Sequence, residues 1–314
     1  MNYEIQNSDV ETLTSCIVCN HKDMLLISDV SHINGTTFFA TACCQNCGHV
    51  FRPIRPKFQW FLDSWAKRED DLEEIIHQQT NDPDKEIRRY GRYKNLADVL
   101  ESLAPNKSIL DIGCGPGAGL KAFVDKGWDV TGIEPDPIRA KVGIDFHKLN
   151  IVNCSINEYD SAQKYDVATV IHVLEHVHNP KEFLNSVIDK VVDGGYLYVE
   201  VPELFNFAQF QDSIYLEHMS NFTRYTLQKL GLDAGLMPIK SFTTKTHPTA
   251  GHEHIALLFQ KKLDKKFDTS DKIGESLYGD YVKKGWQLYL DIASPMSDEN
   301  FSKAYIERVK GVYR

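Results

Sequence analysis

The sequence predicts an α/β fold with a doubly wound, mainly parallel sheet of seven strands. After residue 105, apolar strand-like runs alternate with helix-compatible segments, and a glycine-rich turn joins the first run to the following helix. Such alternation places parallel strands in one sheet with helices on both faces. Five of the seven cysteines precede residue 48, which predicts a small separate module ahead of this sheet.

Four segments are expected in chain order. Residues 1–56 form the cysteine-rich module, which Pro53 and Pro56 close, and residues 57–104 form a helical connector broken near Pro83. Residues 105–260 form the α/β domain. The charged, amphipathic residues 261–314 form a helical C-terminal segment.

Seven apolar runs are the expected strands of the α/β domain. They span residues 108–112, 130–133, 151–154, 167–171, 196–201, 239–243 and 254–259.

Composition limits the classes of partner. The formal net charge of −9 disfavours a nucleic-acid partner, because such binding needs a clustered basic face. The basic run at residues 85–94 is interpreted as the solvated side of an amphipathic helix. The chain has no apolar run of about 18 residues and begins with a polar stretch, so we expect no membrane segment and a cytoplasmic location.

The glycine-rich turn, with Gly113, Gly115 and Gly117, leads from the first strand into a helix. Its glycines let a ligand approach the backbone, and the helix N-terminus offers free N–H groups. This spacing suits both NAD and S-adenosylmethionine. Asp111 favours S-adenosylmethionine, since a carboxylate would repel the pyrophosphate of NAD but suits the ammonium group of a methionine moiety. Glu134, at the next strand end, can accept hydrogen bonds from both ribose hydroxyls.

Three motifs together resemble the class I S-adenosylmethionine-dependent methyltransferases, which have a Rossmann-like fold: residues 111–117, 132–134 and 173–177. The resemblance implies that the three glycines line the methionine moiety and that Glu134 binds the ribose. It also assigns the adenine to Ser155 and Ile156 in the turn 155–157, and the sulfonium region to His172 and Val173.

Two C-x-x-C motifs predict a structural zinc site made by Cys16, Cys19, Cys44 and Cys47. Four thiolates complete a tetrahedral site and leave no open position for catalysis. A module this small has little core, so a bound metal would stabilise it. Cys43 is an alternative third ligand and His49 an outside candidate; free cysteines or a redox pair are the other interpretations. Cys114 and Cys154 are expected to be core residues.

A histidine cluster, residues 172–176, matches the H-x-x-E-H zinc-protease pattern. We interpret the match as accidental, because that pattern needs both histidines on one helix face. Here His172 leaves a strand and Pro180 soon restarts the chain. His176 is expected to pack or to form a hydrogen bond.

The segment after the fifth strand groups a phenol, an acid and a base: Tyr215, Glu217 and His218. His218 could remove a proton from an acceptor, since its intrinsic pKa is near neutral, and Glu217 could orient it. The alternative is a capping or core histidine. A second polar cluster, residues 252–254, faces the acceptor or forms an exposed loop.

With the cysteine module, this segment resembles the bacterial methyltransferases of nucleotide-linked deoxysugars, whose sugar C-methyltransferases carry an N-terminal zinc domain. The resemblance implies that His218 is the base and that Tyr215 and Glu217 assist it. Leu216 and Asn221 stand where that family has a histidine and a tyrosine.

The expected function is S-adenosylmethionine-dependent methylation, at oxygen or carbon, of a small polar acceptor. The sugar or nucleotide-sugar acceptor, in glycan or natural-product biosynthesis, is implied by the resemblance alone. The alternatives are a methyltransferase of proteins or other macromolecules, a nucleotide-dependent oxidoreductase using the same turn, and a non-catalytic binding module.

Overall fold

The computed structural model describes residues 5–33, 36–66, 83–204, 217–245 and 253–262. The predictions about Tyr215 and about a helical segment after residue 262 lie outside these residues. Within the described part of the chain, no helix has the length and apolarity needed to cross a membrane.

The N-terminal sheet is antiparallel. It contains β1 (Val10–Thr12), β2 (Met24–Ile33), β3 (Thr36–Cys44) and β4 (Val50–Pro56), in the spatial order β1-β4-β3-β2. A distant strand, β10 (Ser220–Asn221), also pairs antiparallel with β4. The cysteine-rich segment and the C-terminal half of the chain therefore share a sheet.

Two helices follow this sheet, α1 (Phe58–Ala66) and α2 (Pro83–Leu100). A proline suits the first position of α2, because the amide it lacks would have no partner within the helix. The buried face of α2 packs Tyr93, Ala97 and Leu100 into the core beside the large sheet.

The large sheet contains seven strands, which confirms the predicted fold class. They are β5 (Ser108–Ile112), β6 (Asp129–Ile133), β7 (Ile151–Val152), β8 (Tyr165–Ile171), β9 (Val191–Pro202), β11 (Leu236–Lys245) and β12 (Glu253–Lys261). Their spatial order is β7-β6-β5-β8-β9-β12-β11, and within this sheet only the pairings of β12 with β9 and with β11 are antiparallel.

Five of the seven strands are longer than predicted, and β7 is shorter. β7 is a two-residue edge strand, and directly after it the Asn153 side chain donates to the carbonyls of Glu134 at 2.8 Å and Pro135 at 3.1 Å. β9 begins five residues earlier than expected, at Val191, which pairs with Tyr165.

Four further helices are α3 (Lys121–Val124), α4 (Pro137–Lys141), α5 (Pro180–Ile188) and α6 (Arg224–Asp233). Polar side chains cap three of them: Asp136, Asn179 and Thr223 each accept backbone N–H groups of the first helical turn.

The chain order reverses beside β5: β6 and β7 extend to one side, and β8 and β9 to the other. Ligands of such sheets bind at the carboxyl ends of the strands where the order reverses. The glycine-rich turn follows β5 and His172 follows β8, so both lie at this edge. One buried apolar cluster, which includes Phe51 and Phe222, connects the N-terminal sheet with the core of the large sheet.

Candidate active site and cysteine centre

The glycine-rich turn has three residues in the left-handed region: φ is +70° at Gly113, +59° at Gly115 and +77° at Gly117. A Cβ at Gly113 would lie 2.4 Å from Val173 Cγ2, whereas a Cβ at Gly115 would meet no atom within 4 Å. Gly113 is therefore required for packing, and Gly115 borders open space that a ligand can enter.

Asp111, predicted to contact the ligand, is 1% exposed at the end of β5. Its carboxylate accepts hydrogen bonds from the Tyr93 hydroxyl at 3.0 Å and the Thr169 hydroxyl at 2.7 Å. Burial raises the pKa of Asp111 to about 7, although both hydrogen bonds oppose the rise. Sequence analysis missed Tyr93, whose ring occupies the space that a Cβ at Gly119 would need.

Glu134 lies at the carboxyl end of β6 and is buried. Its carboxylate accepts the Gly115 amide at 2.7 Å and the Asp136 amide at 2.9 Å. Burial raises the pKa of Glu134. Each oxygen keeps a further lone pair, so the side chain can still accept hydrogen bonds from a ligand.

Ser155 and Ile156 lie in the turn after β7, the next strand along this edge. The amide and hydroxyl of Ser155 donate to the Glu158 carboxylate at 2.9 and 2.7 Å. The Ile156 side chain is buried in the large apolar cluster. The structure therefore places both residues beside the strand that follows Glu134.

His172 follows β8 with a φ of +55°, which is strained for a residue with a side chain. Its Nδ1 lies 3.4 Å from a Glu175 oxygen, and its Nε2 lies 3.4 Å from a Glu200 oxygen. Burial lowers the pKa of His172, but the two carboxylates outweigh it and raise the pKa to about 9. At neutral pH the ring is an imidazolium between two carboxylates, and its neighbour Val173 packs against Gly113.

Glu200, which sequence analysis missed, is fully buried within β9. It accepts hydrogen bonds from Arg92 Nη1 at 3.1 Å and the Tyr198 hydroxyl at 2.9 Å, and His254 Nδ1 lies 3.3 Å away. Although burial opposes the shift, His172, His254 and Arg92 hold the pKa of Glu200 well below its usual range.

Two expectations change at this ion cluster. Arg92 was interpreted as part of a solvated helix face, which is wrong, because its guanidinium binds buried Glu200. His254 is buried and its ring centroid lies 4.3 Å from that of His172, so this residue of the 252–254 cluster is not in an exposed loop. Neither contact is visible in a local sequence pattern. Arg92 and Glu200 lie 108 positions apart, and His254 reaches the cluster because β12 pairs with β9.

The proposed base, His218, lies 4.8 Å from His176, measured between ring centroids. His176 Nδ1 donates to the Glu217 carbonyl at 2.9 Å, which confirms the expected hydrogen-bonding role of His176. The Met219 amide donates to the Glu175 carbonyl at 2.7 Å. Burial, followed by the neighbouring His176, lowers the pKa of His218 to about 4, so the ring is neutral at physiological pH.

Two histidine–glutamate groups within the described residues hold their ligand atoms within 4.8 Å of one another: His172, Glu200 and His254, and Glu175, His176 and His218. In the first group, Arg92 already balances the charge of Glu200, which favours an ion network over a metal site. The H-x-x-E-H residues are divided between the two groups, because His172 leaves a strand instead of lying on a helix.

The four cysteines of the C-x-x-C motifs converge. Cys16 and Cys47 Sγ atoms are 3.7 Å apart, and Cys19 and Cys44 Sγ atoms are 3.5 Å apart. These separations are too long for disulfides, at about 2.05 Å, but they suit a tetrahedron with zinc–sulfur bonds of about 2.3 Å. Cys43 Sγ instead faces the Cys44 carbonyl at 3.7 Å.

The two C-x-x-C turns have the same backbone arrangement. The Asn20 amide donates to the Cys16 carbonyl at 2.8 Å, and the Gly48 amide donates to the Cys44 carbonyl at 2.9 Å. Asn20 and Gly48 both have positive φ, at 62° and 71°. The sulfurs are therefore presented by two equivalent tight turns, as a four-sulfur metal site requires.

His49, the outside candidate for a ligand, does not join the cysteines. Its Nε2 lies 3.3 Å from the Ser220 hydroxyl, and its ring is stacked on Phe51 and tilted against Phe222. It therefore contributes to the packing between β4 and the strand β10.

Comparisons with known proteins agree with this architecture. The family model described as a methyltransferase domain matches residues 84–241. The mitochondrial ubiquinone biosynthesis O-methyltransferase of Schizosaccharomyces pombe is 32% identical over 99 residues, covering 29% of this chain and 36% of the relative. That of Marinobacter nauticus is 29% identical over 128 residues, covering 36% of this chain and 53% of the relative. The chain thus spans about half or less of these relatives' length.

Among solved structures, the 1,6-didemethyltoxoflavin-N1-methyltransferase of Burkholderia thailandensis, with bound 1,6-didemethyltoxoflavin and S-adenosylhomocysteine, has the same fold. The two share 17% identity with a TM-score of 0.51, over 74% of this chain and 98% of that chain. Because the family model covers half of the sequence and includes the glycine-rich turn, the chain belongs to the methyltransferase domain family.

Proposed function

We propose that this chain transfers a methyl group from S-adenosylmethionine to a small polar acceptor, and that the acceptor is a sugar or nucleotide sugar. The proposal is supported by the grouping of these residues at one edge of the large sheet. There, the glycine-rich turn with Asp111 and Glu134 lies beside the histidines that follow β8 and precede β10. This edge is the ligand crevice of doubly wound sheets.

On the donor side, S-adenosylmethionine supplies an electrophilic methyl group on a sulfonium. The chain's part is to bind and orient it: Glu134 accepts from the ribose hydroxyls, Asp111 attracts the ammonium, and Gly115 leaves space for close approach. Ser155 and Ile156 flank the adenine, and Val173 lines the region near the sulfonium.

We expect Gly115→Ala to weaken S-adenosylhomocysteine binding by at least about tenfold, which is about 1.4 kcal/mol. The added methyl group enters space that is open in the protein. Gly127→Ala is the matched control, because Gly127 has a φ of +75°, an equally open Cβ position, and lies before β6 at the opposite edge. Calorimetric titration of both variants checks this; equal affinities would contradict it.

Donor binding should also depend on pH through Asp111. Below its pKa of about 7 the buried carboxyl is protonated, and binding an ammonium beside it must release that proton. Affinity for S-adenosylhomocysteine should therefore rise with pH toward 7, by up to about tenfold per pH unit. Above that value the affinity should level off, because the carboxyl is then already ionised before the ligand binds.

Calorimetry between pH 5.5 and 8.5, in buffers of different ionisation enthalpy, checks both the affinity and the proton release. Asp111→Asn should flatten the acidic side of the profile. Asp166→Asn is the control, because Asp166 is also buried but lies at the opposite end of β8. An unchanged profile in Asp111→Asn would exclude this role.

On the acceptor side, His218 takes the proton of the attacking group, and Glu175 stabilises the imidazolium that forms. The resemblance to nucleotide-sugar methyltransferases implies that Tyr215 and Glu217 assist His218. The resemblance to nucleotide-sugar methyltransferases supports a sugar acceptor. A hydroxyl-bearing quinone precursor is the second candidate, because the methyltransferase relatives act in ubiquinone biosynthesis.

We further propose that Cys16, Cys19, Cys44 and Cys47 bind one structural zinc ion. The convergence of the four sulfurs on two equivalent turns supports it. With all four positions filled by thiolates, this ion has no open position for an acceptor and its role is to stabilise the N-terminal sheet.

The test of the function is an acceptor screen that follows S-adenosylhomocysteine release and the mass gain of the acceptor. Nucleotide-linked deoxysugars form the first arm, a hydroxylated quinone precursor the second, and a protein lysate the third. Methylation in the first arm supports the sugar proposal, and product only in another arm replaces it. Tight NAD binding without S-adenosylmethionine binding would overturn methyl transfer itself.

A further inference from the structure

We infer that the N-terminal sheet is part of the acceptor half of the active site and that Arg52 is the positioning residue that holds His218. The inference deepens the proposed function and rests on His218 as the base. It is carried by the contacts between β4 and the segment Glu217–Asn221, which no local sequence pattern indicates.

Strand pairing connects the segment that contains His218 with the N-terminal sheet. β10 pairs with the start of β4, with Ser220 opposite Phe51 and Asn221 opposite Val50. One residue further along β4, the Arg52 amide donates to the Met219 carbonyl at 3.0 Å. The backbone on the C-terminal side of His218 is therefore an extension of the N-terminal sheet.

The Arg52 side chain contacts the same segment, because its Nε donates to the His218 carbonyl at 2.7 Å. Nη1 lies within 3.4 Å of the Thr41 hydroxyl on the adjacent strand β3. Arg52 is 2% exposed, and burial lowers its pKa to about 10. Burying a guanidinium costs free energy unless its N–H groups form hydrogen bonds. The buried, hydrogen-bonded Arg52 can therefore fix the position of the His218 backbone.

A second set of contacts holds the segment Glu217–Asn221 from its other side. The turn after β8 holds it through His176 Nδ1 on the Glu217 carbonyl and the Met219 amide on the Glu175 carbonyl. His218 thus lies between two anchors, the turn after β8 and Arg52 of the N-terminal sheet. Removing the Arg52 contact leaves one anchor, which lets the His218 ring move relative to His176 and Glu175.

The strand that carries Arg52 also begins close to the cysteine centre. The second C-x-x-C turn ends at Cys47, and β4 begins three residues later at Val50. A metal that fixes this turn also fixes the start of β4, where the pairing with β10 occurs. The cysteine centre and His218 are therefore connected through one short strand.

The experiment compares Arg52→Met and Arg52→Lys with the control Arg55→Met. Arg55 lies on the same strand, is equally buried, and also donates to a distant carbonyl, that of His178 at 2.9 Å. The probes are ring signals from ¹³C-labelled histidine, assigned with His218→Asn, together with S-adenosylhomocysteine affinity and zinc content.

In Arg52→Met, the His218 and His176 ring signals should shift, whereas affinity for S-adenosylhomocysteine and zinc content should stay at wild-type values. Arg52→Lys should restore the signals in part, since lysine can donate one hydrogen bond. With an acceptor from the screen, kcat should fall about a hundredfold in Arg52→Met, the effect of a displacement near 1 Å. Arg55→Met should leave signals and kcat unchanged.

Unchanged histidine signals in both Arg52 variants would overturn the inference. So would equal shifts in Arg55→Met, because the effect would then be a general loss of stability. The ring signals test the position of His218, and turnover of His218→Asn tests its role as base, so failure of the inference and failure of the proposed function are distinguishable.

Discussion

Cys44→Ser should abolish binding of the proposed zinc ion and unfold the N-terminal sheet, which is the largest loss of stability that we expect from one substitution. Zinc binding to four-ligand sites of this kind is worth about 10–16 kcal/mol, comparable to the entire net stability of a domain, about 5–15 kcal/mol. Cys44 Sγ lies 3.5 Å from Cys19 Sγ, so its removal opens the tetrahedron. The melting temperature should fall by about 10 °C or more.

Cys43→Ser is the matched control, because Cys43 is the adjacent residue, is equally buried, and has its thiol on the Cys44 carbonyl. It should retain about one zinc per chain. Metal quantification by mass spectrometry and thermal melting of both variants check the prediction. Zinc retained by Cys44→Ser but lost from Cys43→Ser would reverse the ligand assignment. Zinc retained by both would point instead to the Glu175 group of histidines.

His218→Asn should lower kcat by about 10²–10⁴-fold, the usual contribution of a general base. The S-adenosylhomocysteine dissociation constant should stay within about twofold, because the proposed role of His218 is toward the acceptor and not toward the donor. His178→Asn is the control: His178 is a half-buried histidine whose Nε2 donates to the Pro56 carbonyl at 2.8 Å, and it belongs to neither histidine–glutamate group. Full turnover in His218→Asn would remove it as the base.

The pH profile gives a second test of the same residue. A histidine whose pKa is lowered to about 4 is neutral, and able to accept a proton, at every pH above that value. The activity loss that results from protonating His218 should therefore occur near pH 4 rather than near the ordinary value of about 6.5. In kcat against pH, a loss centred near 6.5 that disappears in His218→Asn would contradict the buried, neutral state.

Local sequence patterns determined much of the fold and of the proposed donor side. The glycine-rich turn needs left-handed backbone at three positions, and only glycine adopts it without strain, so Gly113, Gly115 and Gly117 could be recognised from spacing. Asp111 and Glu134 end buried strands, and a carboxyl group directly after an apolar run is visible in a sequence. The C-x-x-C motifs likewise encode their own turns, because each is closed by a hydrogen bond within five residues.

Only the tertiary structure decided which residues surround the proposed acceptor side. The Glu200 cluster joins Arg92 of a helix with His172, which follows β8, and His254 of β12, and Arg52 reaches His218 across 166 residues. Such contacts result from which elements pack together, and neither periodicity nor spacing within a segment carries that information. The choice between Cys43 and Cys44 was of the same kind: adjacent residues of a strand point to opposite faces, and pairing with β2 and β4 determines which sulfur meets the other three.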